Sequence, residues 1–223
     1  MRIGRRLGGP TGSAAAAVLS LLAVFAFVAL AGCSDDAPTS SSYSYDPGDA
    51  AVDVNTAELR AQKAEADIPD CPKAAGDAEA VDGGLPGITL PCLGGGRDVD
   101  LAGLSREPTV LNFWAQTCGP CREESPLFQQ LHETGDVQVL GVDFYDPIPG
   151  KALAFADELG LTYPQLADPE AATRAPMRVQ GLPMTVFLDK DGQVTHVEYG
   201  AVRAADDLAR LVKTYLDVDV ELG

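Results

Sequence analysis

Cys118 and Cys121 are the residues of this chain best placed to do chemistry, because two thiols separated only by Gly119 and Pro120 can be joined or parted by a two-electron exchange. The same spacing also serves as half of a zinc site or as a local staple. A structural zinc site wants four ligands. The remaining candidates, Cys71, Cys92, His132 and His196, include no second CxxC and no close histidine pair. A staple across so short a loop restricts the unfolded chain very little. The reading that remains is a working dithiol, with no metal and no cofactor beyond a redox-active Cys118–Cys121 disulfide.

The elements expected around the pair support it. Residues 109–115, TVLNFWA, form an apolar run of strand length. Beyond Gly119 the chain carries Leu127, Phe128 and Leu131 at helical spacing and stops at Gly135. Cys118 therefore falls between a buried strand and the first turn of a helix, where unpaired amides and the helix dipole favour a thiolate. Thiols at such positions have pKa values lowered to about 3.5–7.5. Cys118 is expected to attack and Cys121, one turn on, to resolve the mixed disulfide. Pro126 lacks an amide hydrogen and is expected to kink this helix near Arg122.

Further along, 137–144 (VQVLGVDF) predicts a strand, 151–160 (KALAFADELG) a helix, and YPQLAD a short strand followed by a brief helical piece over 169–175. Residues 184–189 and 193–200 read as a hairpin turning at Lys190, Asp191 and Gly192. A last helix carries Leu208, Leu211, Val212 and Tyr215 on one face. Strands alternating with helices imply an α/β domain.

The stretch VLNFWAQTCGPCREESP, followed about sixty residues later by GLPMTVFLDKDGQV, resembles the thioredoxin superfamily, in particular its extracytoplasmic TlpA/ResA-like branch of membrane-anchored redoxins. The resemblance runs from about Leu85 to the C-terminus. It implies a thioredoxin fold, a central mixed sheet flanked by helices, here with an N-terminal extension of short strands. It also implies a cis proline facing the dithiol at Pro183, and a backbone at Leu182 that receives an extended substrate. Trp114, Gly119, Pro120 and Leu182 are the expected substrate contacts. Thioredoxin itself has a buried aspartate where this chain has Asn112. The TlpA/ResA-like branch instead carries a glutamate three residues after the second cysteine, matched here by Glu124, which is expected to exchange protons with Cys121 unless it is an ordinary exposed helix residue. Thr117 departs from the tryptophan common in the family. The Gly-Pro dipeptide matches reducing members, so the implied activity is reduction of disulfides in other exported proteins, apocytochrome c among them. A disulfide-forming oxidant and a non-catalytic binding lipoprotein are the rival readings.

The N-terminus bears on where such chemistry occurs. Residues 1–32 hold Arg2, Arg5 and Arg6, no acid, and a long apolar run ending Leu30-Ala31-Gly32-Cys33. That pattern predicts a lipoprotein signal with Cys33 as the lipidated residue, an uncleaved transmembrane helix being the alternative. Both place the remainder outside the cytoplasm, held at the bacterial cell membrane, with a CcdA/DsbD-like membrane protein as the implied electron donor. Residues 33–68, rich in Ser, Asp and Pro at their start, are expected to be a tether, with Asn55 and Glu58 able to cap a short helix; the folded domain is expected over 69–223. Cys33 accounts for the odd one of five cysteines. Cys71 and Cys92, in an exported chain, are expected to pair as a structural disulfide. With 33 acidic against 16 basic residues and a net charge of −17, the chain has no nucleic-acid surface to offer.

If Cys33 is the lipid acceptor, Cys33→Ser should abolish metabolic labelling by a fatty acid and leave a larger, unprocessed precursor on a gel. Undiminished labelling would refute the assignment.

Overall fold

A computed structural model describes residues 51–74, 81–104 and 107–223. The signal segment 1–32, Cys33 and the first part of the expected tether lie outside these residues. Within them, strand β1 (Thr89–Leu90) pairs antiparallel with β2 (Val99–Asp100). A five-stranded sheet is built from β3 (Thr109–Trp114), β4 (Gln138–Phe144), β5 (Gln165–Asp168), β6 (Met184–Leu188) and β7 (Val194–Tyr199), in the order β5-β4-β3-β6-β7. β3, β4 and β5 run parallel, while β6 and β7 pair antiparallel. The helices are α1 (Ala57–Glu65), α2 (Gly119–Thr134), α3 (Pro149–Glu158) and α4 (Ala205–Leu216). This is the mixed, helix-flanked sheet of a thioredoxin fold with a short-stranded N-terminal extension.

Strand alternation divides the core in two. Val110 and Trp114 of β3 join Phe128 and Leu131 of α2, Leu153 and Phe155 of α3, and Leu208 and Val212 of α4 in one buried cluster. Leu111 and Phe113 point the other way, into a second cluster with Leu90, Val99 and Leu101 of the extension. β3 is buried along its whole length, as a central strand covered on both faces must be. The extension also reaches the sheet's edges. Leu93 donates its amide to the Gln165 carbonyl at 2.8 Å and Ala167 donates to that of Pro91 at 2.9 Å, so residues 91–93 cover β5. Gly84 bridges Gln193 beside β7. The extension thus covers the β5 edge and the start of β7, which limits pairing with a foreign strand there.

Three sequence expectations change. The tether ends earlier than residue 68, because Val54, Leu59, Ala66 and Ile68 are buried in the helix-side cluster. The short helix expected here forms, and it docks through Leu59 while Ala57, Ala61 and Ala64 stay exposed. Its cap is Thr56 rather than Asn55: the Thr56 hydroxyl accepts from the Leu59 amide at 3.3 Å. No helix forms over 169–175. The Asp168 carboxylate gathers the amides of Ala172 and Thr173 and the Thr173 hydroxyl into a turn, and Ala171 sits at φ 55°. Helix α2 runs from residue 119 to 134 with Pro126 inside it and ends, as expected, at Gly135 with φ 71°, a left-handed value that suits glycine.

Docking of α1 can be tested directly. Leu59→Ala should lower unfolding free energy by about 2 kcal/mol, the usual scale for truncating a buried leucine, in a denaturant titration. A tether residue would show no change.

Candidate active site

Cys118 is the N-cap of α2, with extended backbone at φ −86° and ψ 104°, and its sulfur accepts from the Cys121 amide at 3.2 Å. The two cysteines form a disulfide. Cys118 is half-buried, Gly119 and Pro120 are exposed, and Cys121 is wholly buried in the helix-side cluster. One sulfur thus faces the surface at a positive helix end, and the other is enclosed one turn deeper. The Leu182–Pro183 peptide bond is cis. β3 and β6 are in register through Phe113 and Met184, and one further step sets Pro183 beside Trp114, at the end from which the chain leaves toward Cys118. Pro183 is buried and Leu182 half-buried.

Trp114 does not belong with the expected substrate contacts. Strand alternation turns it inward, where it has no exposed surface. Its indole stacks on Phe155 with centroids 4.8 Å apart, and its Nε1 donates to Gln165 Oε1 at 3.0 Å. The Arg122 guanidinium covers the Phe155 ring at 4.6 Å and pairs with Glu158 at 2.9 Å. The tryptophan is therefore part of the support that ties the start of α2 to α3.

Glu124 is fully buried, three residues beyond Cys121 and on the same face of α2. Its Oε1 accepts from Asn112 Nδ2 at 2.7 Å and its Oε2 from the Val202 amide at 2.9 Å. Burial pushes its pKa up from 4.5 to about 7, and these two hydrogen bonds only partly oppose that. Asn112, which cannot take a proton, is here a donor to the group that can. Among the described residues its Oδ1 has no hydrogen-bond partner. A turned amide would let that oxygen accept from a protonated Glu124, so the pair can satisfy either protonation state. Tyr163, also buried, is within electrostatic reach of Glu124.

Sequence reasoning missed the Val202 amide, a backbone group 78 positions away that carries no side-chain signal. It also missed Gln165, whose polar side chain inside a strand was the available hint. Cys71 and Cys92 form the expected disulfide. The histidines take structural places: His196 stacks on Tyr215 at 3.9 Å and contacts Glu198 at 3.0 Å, while His132 packs near Tyr163.

Comparison with known proteins agrees with this geometry. Residues 74–213 match the redoxin family. The thioredoxin-like protein YneN of Bacillus subtilis is 31% identical over 121 residues, spanning 52% of this chain and 70% of that protein. The thiol-disulfide oxidoreductase ResA of Geobacillus thermodenitrificans is 30% identical over 132 residues, 58% of this chain and 75% of its own. The crystal structure of a DsbF homologue from Corynebacterium diphtheriae superposes with a TM-score of 0.53 at 28% identity, covering 66% of this chain and 99% of that one.

The raised Glu124 pKa has a consequence for stability. Below pH 4.5 the carboxyl is neutral whether the chain is folded or not. As pH rises from there to about 7 the unfolded chain gives up this proton first, so the carboxyl's contribution to stability is progressively lost. The loss should total about 3 kcal/mol across that window. Urea titrations of the oxidised protein at several pH values should show the decline, and Glu124→Gln should make it shallower, the buried Asp143, whose pKa burial also raises, contributing part of what remains. Parallel curves for the two proteins would mean that Glu124 does not hold its proton to neutrality.

Proposed function

The chain belongs to the redoxin family and is a thiol:disulfide oxidoreductase of the thioredoxin fold, using its own cysteine pair rather than an external cofactor; from that premise we propose that Cys118 and Cys121 reduce disulfides in exported proteins. The observation that carries the proposal is the asymmetry of the pair, one sulfur half-exposed at a helix N-terminus and the other enclosed above a buried carboxylate.

In the reduced protein the Cys118 thiolate attacks a substrate disulfide, expelling one substrate sulfur and forming a mixed disulfide. Cys121 then gives its proton to Glu124 and attacks Cys118 Sγ. The second substrate sulfur leaves, and the Cys118–Cys121 disulfide remains. A carboxylate with a pKa near 7 suits this step, since it can take the proton at neutral pH and release it afterwards. Leu182, preceding the cis Pro183, offers backbone to an extended substrate segment beside the dithiol, and Gly119 and Pro120 supply the exposed rim. The Gly-Pro dipeptide favours the reducing direction, with a potential nearer thioredoxin's, about −270 mV, than the oxidant DsbA's, about −120 mV.

The protein works outside the cytoplasm, tethered by lipid on Cys33 and reduced again by a membrane donor of the CcdA/DsbD kind. The signal-like residues 1–32 and the sequence LAGC support that placement. Apocytochrome c, whose haem attachment requires free thiols, is the substrate that the TlpA/ResA-like resemblance suggests.

Reduction of insulin by the chain with a dithiol donor should be abolished by Cys118→Ser. Cys121→Ser should accumulate mixed disulfides with its substrates, which identifies them by mass spectrometry. Glu124→Gln should slow turnover by about a hundredfold, within the range for losing a general base, and shift the pH profile of Cys121 alkylation. Insulin reduction that survives Cys118→Ser would overturn the assignment, and unchanged pH profiles would remove Glu124 from the mechanism.

A further inference from the structure

Lys63 of α1 is a buried lysine, only 7% exposed, that faces the other disulfide. Its Nζ donates to the Gly95 carbonyl at 2.7 Å and lies 3.0 Å from Sγ of Cys92. Burial lowers the pKa of Lys63 and the charge of Asp70 opposes that shift. Asp70 is nonetheless committed elsewhere: its Oδ1 accepts from the amides of Cys71 and Arg97, and its Oδ2 lies 3.4 Å from the Arg97 guanidinium. Arg60, one turn before Lys63, donates to the Asn55 backbone and side chain. The buried ammonium is thus aimed at a neutral disulfide sulfur, a weak acceptor. A thiolate at the same position would supply a full counter-charge.

We propose that Cys71–Cys92 is a second redox couple, reduced by a dithiol, in which Cys92 becomes a thiolate paired with the Lys63 ammonium. The donor's thiolate attacks Cys71 Sγ and breaks the S–S bond, and the electron pair leaves on Cys92, the sulfur that Lys63 stabilises. The donor's second thiol then attacks its own sulfur in the mixed disulfide and frees Cys71, which takes up a proton. In sum the dithiol becomes a disulfide, two electrons pass to the protein, and one proton goes to solvent.

A cleft of about 270 Å³, lined by Lys63, Ile68, Asp70 and the glycines 94–96, lies next to the couple. Cys71 and Cys92 are closed off, at 0% and 1% exposure. Their reduction should therefore be slower than that of Cys118–Cys121, and because enclosure disfavours an unpaired thiolate, the equilibrium depends on the Lys63 ammonium that pairs with Cys92. The covalent clasp between the N-terminal segment and the strand covering β5 would become an ionic one, with α1 still docked. Position in sequence gave neither thiol an activating helix start; the activating group arrives from a separate element, 29 residues from Cys92.

The test needs no turnover assay and so stands apart from the function proposed for Cys118. The full chain, in detergent, is equilibrated with graded ratios of reduced to oxidised dithiothreitol at pH 7, and each cysteine is scored by differential alkylation and peptide mass while helix content is followed by circular dichroism. Cys71–Cys92 should become fully reduced with helix content retained. Lys63→Met should demand at least about a tenfold higher ratio, equivalent to one pKa unit of thiolate stabilisation, and Lys63→Arg should return the midpoint toward that of the unaltered chain. Should Lys63→Met fail to fold, Cys71→Ala leaves Cys92 as a free thiol beside Lys63, and its alkylation should titrate below the ordinary thiol range. A couple that stays joined until helix content is lost, a Lys63→Met midpoint equal to that of the unaltered chain, or a Cys92 that titrates as an ordinary thiol would each overturn the proposal.

Discussion

The buried carboxylate of Glu124 is the constraint around which the site is organised. It sits on α2, accepts from Asn112 on β3, and accepts from the backbone of Val202 in the segment leading to α4. A carboxyl without surface exposure must be hydrogen-bonded or it becomes severely destabilising. Meeting that demand holds three separate elements in one register, and the same register puts Cys121 in the interior and Cys118 at the rim. Among the described residues no basic side chain neutralises the carboxyl, so its burial is tolerable chiefly because it can hold a proton. The raised pKa that the proposed mechanism draws on is thus also what lets the group be enclosed.

A second support works through aromatic packing. Trp114, Phe155 and Arg122 stack in sequence, with Glu158 holding the guanidinium at its outer end. The stack joins the end of β3, α3 and the first turn of α2, and so fixes the direction in which the dithiol's helix leaves the sheet. Gln165 connects it to the edge strand, and that strand's backbone in turn receives residues 91–93 of the extension. The N-terminal extension therefore does more than precede the domain: it covers the β5 edge and the start of β7 and closes the second hydrophobic cluster.

The two disulfides occupy opposite environments although both join buried or half-buried sulfurs. Cys118–Cys121 lies at a helix start with one sulfur accessible, so its activation comes from backbone amides of its own segment. Cys71–Cys92 lies in a dry interior, where the adjacent positive charge is a side chain from another element. Spacing and cysteine count point to both pairs, but they do not reveal what surrounds each.

Local pattern carried a great deal of this protein. Apolar runs of strand length, helical spacing ended by Gly135 and Gly160, the turn at Lys190 to Gly192, and a CxxC between strand and helix were legible because each depends on residues close together in the chain. The pairing of Cys71 with Cys92 was legible from cysteine arithmetic. Three features waited for the tertiary structure. Trp114 turned out to be core because the face of β3 it occupies meets α3, and nothing within residues 109–115 says which face that is. α1 docks through a few apolar residues in a polar sequence, because burial depends on the surface available to receive them. The raised pKa of Glu124 rests on burial, against the opposing hydrogen bond of an amide 78 residues away, and desolvation is a property of enclosure, which no local stretch of sequence possesses.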